Sequence, residues 1–427
     1  MTVNRVVITG LGVVAPNANS VADFEDALRN GQSGIRFIPQ LETLNFSCQI
    51  GGVPQGFEAI REHHFGKDNH EFTSDNVCYA GVAAMDAWAD AGLEQPDPDG
   101  SADWDTGAVV GCGIGDMDMI SNRVVPMVNE GKVRRMGTRV IEQVMASGVS
   151  AKIAGLLGLG NQVTSNSSAC NTGTEAIAHA ALRIRTGLAK RMVAGGSDGA
   201  SPYTWGGFDS MRVLARKFNQ SPDQGSRPMS ASACGFVPGA GAGILILESL
   251  ESARKRGVPI YAEIIGFHIN CGGQRKGGTM TAPSAEGVQR CLKAAMADAN
   301  IHPHEIDAIS GHLTATLADP YEFKNWAQVL DRRDEDFPFI NATKSMIGHC
   351  LGAAGAIETI AAVLELKKGF LHPSLNCEDI HPDIRPYEKS IVRKTLEIPE
   401  LTTLAKTSFG FGDVNGCLIL RKWKDEE

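Results

Sequence analysis

Short runs of β-branched and other apolar residues, each close to a glycine, restrict the fold of this chain more than any other feature. They lie at 5–10, 107–111, 191–195, 243–248, 261–265, 306–309 and 417–420. A continuous apolar run without polar alternation is typical of a strand that is covered on both faces. Helical stretches lie between many of these runs. The alternation predicts an α/β fold, with a mixed or parallel sheet that carries helices on its faces.

The predicted elements have a similar order in residues 1–250 and 251–427, which indicates two related halves. We predict helices at 21–29, 74–91, 172–185, 286–299 and 351–368. Ser20 is the expected N-cap of the first, with Asp23 at the capping-box position. No low-complexity linker separates the halves, so we expect them to share one body, with an insertion at about 115–150.

Charge and cysteine content exclude several classes of protein. The net charge is −9, whereas nucleic-acid binders usually carry a basic stripe. None of the ten cysteines forms a CxxC pair or has a histidine at zinc spacing, so we expect mainly reduced thiols in a cytoplasmic protein. We expect no membrane span, because no run of about 18 apolar residues occurs, and no secretory signal at the N-terminus.

One cysteine lies where a strand-like segment changes into a helix. Cys170 is surrounded by small residues within 163–177. The helix dipole is expected to lower the pKa of a thiol at this position and to favour the thiolate. Neighbouring backbone N–H groups could stabilise an oxyanion. From this segment alone, a catalytic nucleophile and a packed core cysteine are equally good interpretations.

Two histidines at similar junctions favour the nucleophile. His312 follows a predicted strand, and His349 precedes an Ala- and Gly-rich helix, as Cys170 precedes its own helix. Open α/β sheets place their active sites at the carboxyl ends of strands. We therefore expect the three side chains to belong to one site.

The motifs from 6–12 to 408–412 together resemble those of the β-ketoacyl-[acyl-carrier-protein] synthases, condensing enzymes of thiolase fold, and the resemblance covers essentially the whole chain. The His-His-Cys set is similar to the elongating type I/II branch. The resemblance implies a thiolase-like fold with two pseudo-equivalent halves. Each half would contain a mixed five-stranded sheet within an α-β-α-β-α layered arrangement. Residues 1–250 would carry the nucleophile, and residues 251–427 both histidines.

The same resemblance implies an acyltransferase of fatty acid biosynthesis. It would condense malonyl on an acyl carrier protein with an acyl group held as a thioester on Cys170, lose CO₂, and extend the chain by two carbons. His312 and His349 would donate hydrogen bonds to the extender's thioester carbonyl. The backbone N–H groups of Cys170 and Phe409 would form the oxyanion hole. No metal or cofactor is expected, because the substrates are carried on the phosphopantetheine arm of the carrier protein, and a homodimer is expected.

Further positions match family residues in the same way. Lys344 and Glu358 match a lysine and a helix carboxylate of the active site. The expected substrate contacts are Thr314 and Thr316 for the pantetheine arm, Phe409 as a mobile gate, and Ile114 in the wall of the acyl tunnel. The expected carrier-protein patch is Arg212, Arg216 and Lys217, with Lys132, Arg134 and Arg135 as the alternative.

Some positions depart from the family pattern. Leu313, Ala315 and Asp413 stand where the resemblance leads us to expect glycine. The backbone at these positions must tolerate a Cβ atom, and a carboxylate close to the gate is unexpected. These departures favour a specialised member of the family and bear on its substrate more than on its reaction.

Four alternatives remain at this point. A ketosynthase of a polyene or polyketide pathway, acting with a partner subunit, fits the same residues. A non-catalytic chain-length subunit would lack the nucleophile. An NAD-dependent dehydrogenase is suggested by the G-x-G-x-x-A pattern at 10–15, but Pro16 follows where a helix should already have begun. A thiolase would have a second catalytic cysteine in a Cys-x-Gly block, whereas Leu418 and Ile419 follow Cys417.

Overall fold

The structure is a computed structural model that describes residues 3–67 and 72–424. Its strands, in chain order, are β1 (Val6–Val14), β2 (Ile35–Phe37), β3 (Ile50–Gly52), β4 (Thr106–Gly111), β5 (Val163–Thr164), β6 (Arg191–Asp198), β7 (Gly241–Ser249), β8 (Ala262–Cys271), β9 (Ala308–Ser310), β10 (Phe339–Asn341), β11 (Phe370–Leu371), β12 (Leu396–Glu397), β13 (Thr403–Gly410) and β14 (Val414–Lys422).

The helices, in the same order, are α1 (Val21–Arg29), α2 (Pro39–Thr43), α3 (Phe57–Phe65), α4 (Asp75–Asp90), α5 (Met117–Met119), α6 (Val125–Asn129), α7 (Val140–Val144), α8 (Gly148–Leu157), α9 (Thr172–Arg185), α10 (Pro202–Ser210), α11 (Leu250–Arg256), α12 (Ala285–Ala299), α13 (Asp319–Leu330), α14 (Lys344–Ile347) and α15 (Ala354–Lys368). Short 3₁₀ turns precede α9 and α15. No described helix is long and apolar enough to cross a membrane.

The strand order repeats between the two halves of the chain. The main sheet runs β10-β9-β13-β14-β8-β1-β7-β6-β4-β5. The first half contributes β1, β4, β5, β6 and β7, and the second contributes β8, β9, β10, β13 and β14. If the five strands of each half are numbered 1 to 5 along the chain, both halves have the spatial order 3-2-4-5-1. In both, strand 2 is parallel to strands 3 and 4, and strand 5 is antiparallel to strands 4 and 1. The predicted pair of equivalent halves with mixed five-stranded sheets is confirmed.

The two five-stranded sheets join along a short edge and enclose a layer of helices. Their first strands, β1 and β8, pair only through 6–8 and 262–264. Helices α9 and α15 contact strands of both halves, whereas α4 and α8 cover the outer face of one sheet and α12, with α13 beside it, that of the other. This is the predicted α-β-α-β-α arrangement. The predicted division of the chain at residue 250 stays a prediction, as does the insertion at 115–150.

Glycines allow the two central helices to start side by side. A Cβ atom on Gly173 would lie 2.7 Å from the backbone nitrogen of Ala356, and one on Gly355 would lie 2.7 Å from that of Thr174. A side chain at either glycine would force the helices apart. Their close contact brings together the segments that precede them, which carry Cys170 and His349.

Candidate active site

The nucleophile candidate lies in a strained turn. Cys170 is half-buried in the 3₁₀ turn Ala169–Asn171, directly before α9. Ala169 has φ +51°, which is unusual for a residue with a side chain. The Thr172 hydroxyl holds the turn, because it accepts from Ser168 N at 2.9 Å and donates to Ala169 O at 2.7 Å. The local sequence thus fixes the backbone that presents the thiol.

The structure brings the two predicted histidines to this thiol. Cys170 Sγ and one ring nitrogen of each of His312 and His349 lie within 4.8 Å of one another. The two imidazole rings are buried, with centroids 5.5 Å apart and planes nearly perpendicular. The predicted meeting of three strand–helix junctions is therefore observed.

Hydrogen bonds at Nδ1 determine which nitrogen of each imidazole can donate. Nδ1 of His349 accepts from the backbone nitrogen of Leu351 at 3.2 Å. Lys344 Nζ lies 3.4 Å from Nδ1 of His312, and an ammonium group can only donate. A neutral imidazole that accepts at Nδ1 carries its proton on Nε2. Each histidine therefore has an Nε2–H group as its remaining donor.

The buried site keeps all three groups neutral. Burial, and then the charge of Lys344, hold the pKa of both His312 and His349 well below the usual range. Burial raises the pKa of Cys170 to about 12, although the charge of Lys344 opposes the rise. The predicted low pKa of Cys170 is wrong, because the cost of burying a thiolate exceeds the stabilisation from neighbouring positive charge. The resting thiol is protonated at neutral pH.

Glu358 joins the site to two lysines. The carboxylate pairs with Lys344 through Oε1. Its Oε2 lies 2.8 Å from Nζ of Lys406, a residue that the sequence reasoning did not identify. All three side chains are buried. No sequence signal pointed to this third member, because β13 itself was not among the predicted strands.

A Cys-His-His set could in principle hold a soft divalent metal. Here Lys344 and Lys406 place positive charge next to the candidate ligand atoms. Nδ1 of His312 already has the ammonium group of Lys344 as a hydrogen-bond partner. The expectation that no metal takes part stays a prediction.

The predicted pantetheine contacts lie in a loop that Asp319 organises. The hydroxyl oxygens of Thr314 and Thr316 are 2.9 Å apart and partly exposed. The Asp319 carboxylate accepts from the backbone nitrogens of Thr314 at 2.9 Å and Ala315 at 3.2 Å. Ala315 has φ +61°, so it adopts the left-handed conformation that glycine would adopt more readily, while Leu313 packs in the core of its half.

Aromatic rings surround the histidines. Phe409 lies inside β13, is 9% exposed, and packs edge-on against His312 at 5.7 Å between centroids. Phe236 contacts His349 at 5.2 Å and Phe208 at 5.4 Å. Phe411 belongs to the motif at 408–412 but has no predicted role. It lies in the turn after β13, with its ring centroid 6.1 Å from that of Phe208. The gating and oxyanion roles of Phe409 stay predictions.

The unexpected carboxylate near the gate has a structural role. Asp413 is buried and has φ +63°. It accepts from the backbone nitrogens of Ser284 at 2.8 Å and Gln274 at 3.0 Å. The departure from glycine thus fastens the turn that follows β13 to the segment 272–284.

The remaining predicted residues lie on the surface of the chain. Ile114, which follows β4, is 47% exposed, and its role in a tunnel wall stays a prediction. Arg212, Arg216 and Lys217 are exposed and form no ion pair with any residue that the structure describes. In the alternative patch, Lys132 pairs with Glu130 at 2.6 Å.

A thiolase-like fold with a cysteine and two histidines at its strand–helix junctions defines a condensing enzyme. Residues 3–253 match the family "Beta-ketoacyl synthase, N-terminal domain", and residues 261–378 match "Beta-ketoacyl synthase, C-terminal domain". The chain belongs to the β-ketoacyl synthase family.

Known relatives agree with this assignment. The chain is 36% identical to 3-oxoacyl-[acyl-carrier-protein] synthase I, chloroplastic, of Arabidopsis thaliana, with 98% of this chain and 87% of that protein covered. It is 35% identical to 3-oxoacyl-[acyl-carrier-protein] synthase 1 of Escherichia coli (strain K12), with 99% and 100% covered. A solved structure of a type II PKS acyl-carrier protein in complex with its ketosynthase contains a chain of similar fold. The TM-score is 0.85 and the identity is 28%, with 99% of this chain and 100% of that chain covered.

These findings confirm the predicted family, the fold and the enzyme class, an acyltransferase of the 3-oxoacyl-[acyl-carrier-protein] synthase type in fatty acid biosynthesis. The polyketide and non-catalytic alternatives are not favoured, because the curated relatives at about 35% identity are 3-oxoacyl-[acyl-carrier-protein] synthases.

Proposed function

We propose that this chain condenses malonyl on an acyl carrier protein with an acyl group held on Cys170, and so extends the acyl chain by two carbons. One observation carries the proposal: a half-buried thiol lies within 4.8 Å of two buried, neutral histidines that each keep an Nε2–H donor. The names of the relatives, and a similar ketosynthase solved with its acyl-carrier protein, support such a protein as the substrate carrier.

In the first step, the Cys170 thiol attacks the acyl thioester. The C–S bond to the carrier breaks, a C–S bond to Cys170 forms, and the Cys170 proton ends on the departing pantetheine thiolate. Transfer of the proton within the same step avoids a free buried thiolate, which the raised pKa of Cys170 disfavours. The N–H groups of Cys170 and Phe409 would hold the oxyanion.

In the second step, malonyl loses CO₂ and its bonding electrons form an enolate. His312 and His349 donate from Nε2–H to the oxygen on which this charge develops. The enolate carbon attacks the acyl-Cys170 carbonyl, and the C–S bond to Cys170 breaks as the sulfur takes up a proton from solvent, which restores the thiol. The charge balance of these steps requires no metal, nucleotide or redox cofactor.

The reaction is tested with purified chain, an acyl-loaded carrier protein and a malonyl-loaded carrier protein. The expected result is a β-ketoacyl carrier two carbons longer, with one CO₂ released per product, in buffer that contains a chelator. A product of unchanged length, or a reaction that needs added metal or NADH, would contradict the proposal.

We also propose that Arg212, Arg216 and Lys217 bind the carrier protein. Their segment is bonded to the site: Phe236 N donates to Val213 O at 3.0 Å, and Ala215 N donates to Phe236 O at 2.9 Å. The ring of Phe236 contacts His349. The three cations, which have no ion-pair partner among the described residues, therefore lie next to the segment that lines the site, where an acidic carrier would have to dock.

Reversal of these charges is expected to weaken carrier binding. In Arg212→Glu/Arg216→Glu/Lys217→Glu, we expect the KM for acyl-carrier protein to rise about tenfold or more, because the mutated charges attract an acidic partner. The kcat and the rate with a small acyl-pantetheine substrate should change little. Lys132→Glu/Arg134→Glu/Arg135→Glu, which reverses the same number of charges in the alternative patch, is the matched control. If the control variant shows the larger rise in KM, the alternative patch is the carrier site.

We further propose a homodimer that works in the cytoplasm. Strand β5 ends the main sheet, so its outer edge has no strand partner among the described residues. Large apolar side chains are exposed close by and in the predicted insertion: Trp104, Val128, Val133, Ile141 and Leu188. Exposed apolar surface of this kind indicates an interface. Sedimentation equilibrium should give twice the mass of one chain, and a monomer at micromolar concentration would contradict the proposal.

A further inference from the structure

Lys406 is a fully buried lysine that the reaction steps above do not use. It lies in β13 with no exposed surface, on the strand face that it shares with Leu404 and Ser408. This face packs on the central helix α15. A buried ammonium group is costly unless it is paired. The side chain therefore requires a specific partner, and Glu358 of α15 provides it at 2.8 Å.

The contacts of Lys406 change the charge of the site. Lys344 and Glu358 alone would form a neutral ion pair. Lys406 binds the second oxygen of the same carboxylate, and its other contacts are neutral, namely the carbonyl oxygen of Thr407 and the hydroxyl of Ser408 at 3.1 Å. With both amines protonated, the three side chains together carry a net charge of +1. Burial lowers the pKa of Lys406, and the charge of Glu358 opposes that change. The buried carboxylate of Glu322 also interacts with both lysines. Lys344, at the other end of the group, lies 3.4 Å from Nδ1 of His312.

We propose that Lys406 is a positioning residue of the condensation step: it anchors Oε2 of Glu358, so that Oε1 holds Lys344 at His312, and it supplies positive charge beside the histidines. The proposal rests on the function proposed above, in which enolate charge develops where the histidines donate. A fixed positive charge in a buried site stabilises such an anion more than it would in water.

The charged surroundings of the histidines indicate the direction of a pH effect. Lys406 contributes to the low pKa of both rings. For His349 it follows burial and Lys344, and for His312 it follows burial, Lys344 and His349. The other titratable groups packed around the histidines and Lys406 include Lys344, Glu358, Glu322, Asp198, Cys170, Cys350 and Cys417. Glu322 accepts from His312 N, Leu313 N and Thr407 Oγ1, and Asp198 accepts from Gly113 N and Gly352 N, so backbone and hydroxyl donors already hold both carboxylates.

Removal of the Lys406 charge should raise the pKa of the histidines toward the ordinary value. Protonation at Nδ1 would then begin at a higher pH. A protonated Nδ1 can no longer accept from Leu351 N or from Lys344, so the Nε2–H donors would lose their fixed orientation. The acidic limb of the pH profile for decarboxylation should therefore move to higher pH.

The test compares Lys406→Met, which removes the charge but keeps the length, with Lys406→Arg, which keeps the charge. In Lys406→Met we expect kcat for malonyl-carrier decarboxylation to fall about tenfold. The KM for malonyl carrier should be unchanged and the acidic limb should shift upward. Lys406→Arg should restore the wild-type acidic limb. Lys422→Met, on the neighbouring strand, is the matched control and should behave as wild type, because its Nζ bonds only the carbonyl oxygen of Pro399 among the described residues.

Acyl loading of Cys170 is measured on the same samples by mass spectrometry. The adduct should form in Lys406→Met as in the wild type, and its absence from the wild type would refute the proposed function rather than the role of Lys406. A wild-type rate and acidic limb in folded Lys406→Met would overturn the inference. An equal loss of rate in Lys406→Arg, with no shift of the acidic limb in either variant, would also overturn the inference. That outcome would mean that Lys406 acts only through side-chain packing. If Lys406→Met does not fold, Lys406→Gln, which keeps a donor without the charge, must show the same shift.

Discussion

Cys170→Ala is expected to abolish acyl transfer while malonyl decarboxylation continues. The acyl group has no covalent acceptor without the thiol, and loss of a nucleophile of this kind costs about 10⁴-fold or more in kcat. Decarboxylation depends on the Nε2–H donors of His312 and His349, whose hydrogen bonds do not involve the cysteine. The variant should therefore release CO₂ from a malonyl carrier without forming a longer product.

The measurement is mass spectrometry of the intact protein and of its peptides after incubation with an acyl-loaded carrier protein, together with an assay of released CO₂. The wild type should gain the mass of one acyl group on the peptide that contains Cys170. Cys271→Ala is a suitable control, because Cys271 is the exposed cysteine of the structure and would react first if labelling were only a matter of access. Persistence of the adduct in Cys170→Ala, or its loss in Cys271→Ala, would assign the nucleophile elsewhere.

The sequence could predict the residues of this site whose positions follow from where a strand ends or a helix begins. Cys170 and His349 each precede a helix rich in small residues, and His312 follows a strand. In an α/β sheet such positions converge whatever the details of packing. The close approach of Gly173 to Ala356 then brings the two helix starts together, and glycine at that position was visible in the sequence.

What the sequence could not predict depends on burial and on packing between distant segments. The strand β13 was not among the predicted strands, because Lys406, Thr407 and Ser408 interrupt its apolar pattern. Its lysine is tolerated only because Glu358, on a helix from another part of the chain, lies within 2.8 Å. The pKa of Cys170 was predicted in the wrong direction for a related reason. The helix dipole is visible in the sequence, whereas the loss of solvation around the sulfur is not.

Asp413 shows how a departure from a family pattern acquires meaning only in three dimensions. From the sequence, it is an unexplained carboxylate near a gate. In the structure, its two oxygens accept from backbone nitrogens of Gln274 and Ser284, and its left-handed backbone continues the turn that glycine would make. The residue therefore keeps the conformation expected of glycine and adds a connection to a second segment.

Replacement of either histidine is the second large effect that the structure leads us to expect. In His312→Ala and His349→Ala, decarboxylation should fall about 10²–10³-fold, since removal of one preorganised donor to a developing oxyanion costs that much. Acyl loading of Cys170 should be reduced far less, because that step uses the backbone donors. His312→Gln and His349→Gln keep an N–H donor at a similar distance from the backbone, and each should recover part of the lost rate.

The pH dependence separates donors from bases in the same variants. Both imidazoles have a pKa well below the usual range, so they stay neutral as the pH falls through about 6.5, the ordinary value for histidine. A neutral donor then predicts a decarboxylation rate that is flat across that pH and declines only at lower pH. A histidine that acted as a base with an ordinary pKa would instead lose activity through that range. A decline centred near pH 6.5 in the wild type that is absent from both Gln variants would show that an imidazole accepts a proton in this step, and the donor role argued from Nδ1 of His312 and His349 would be wrong.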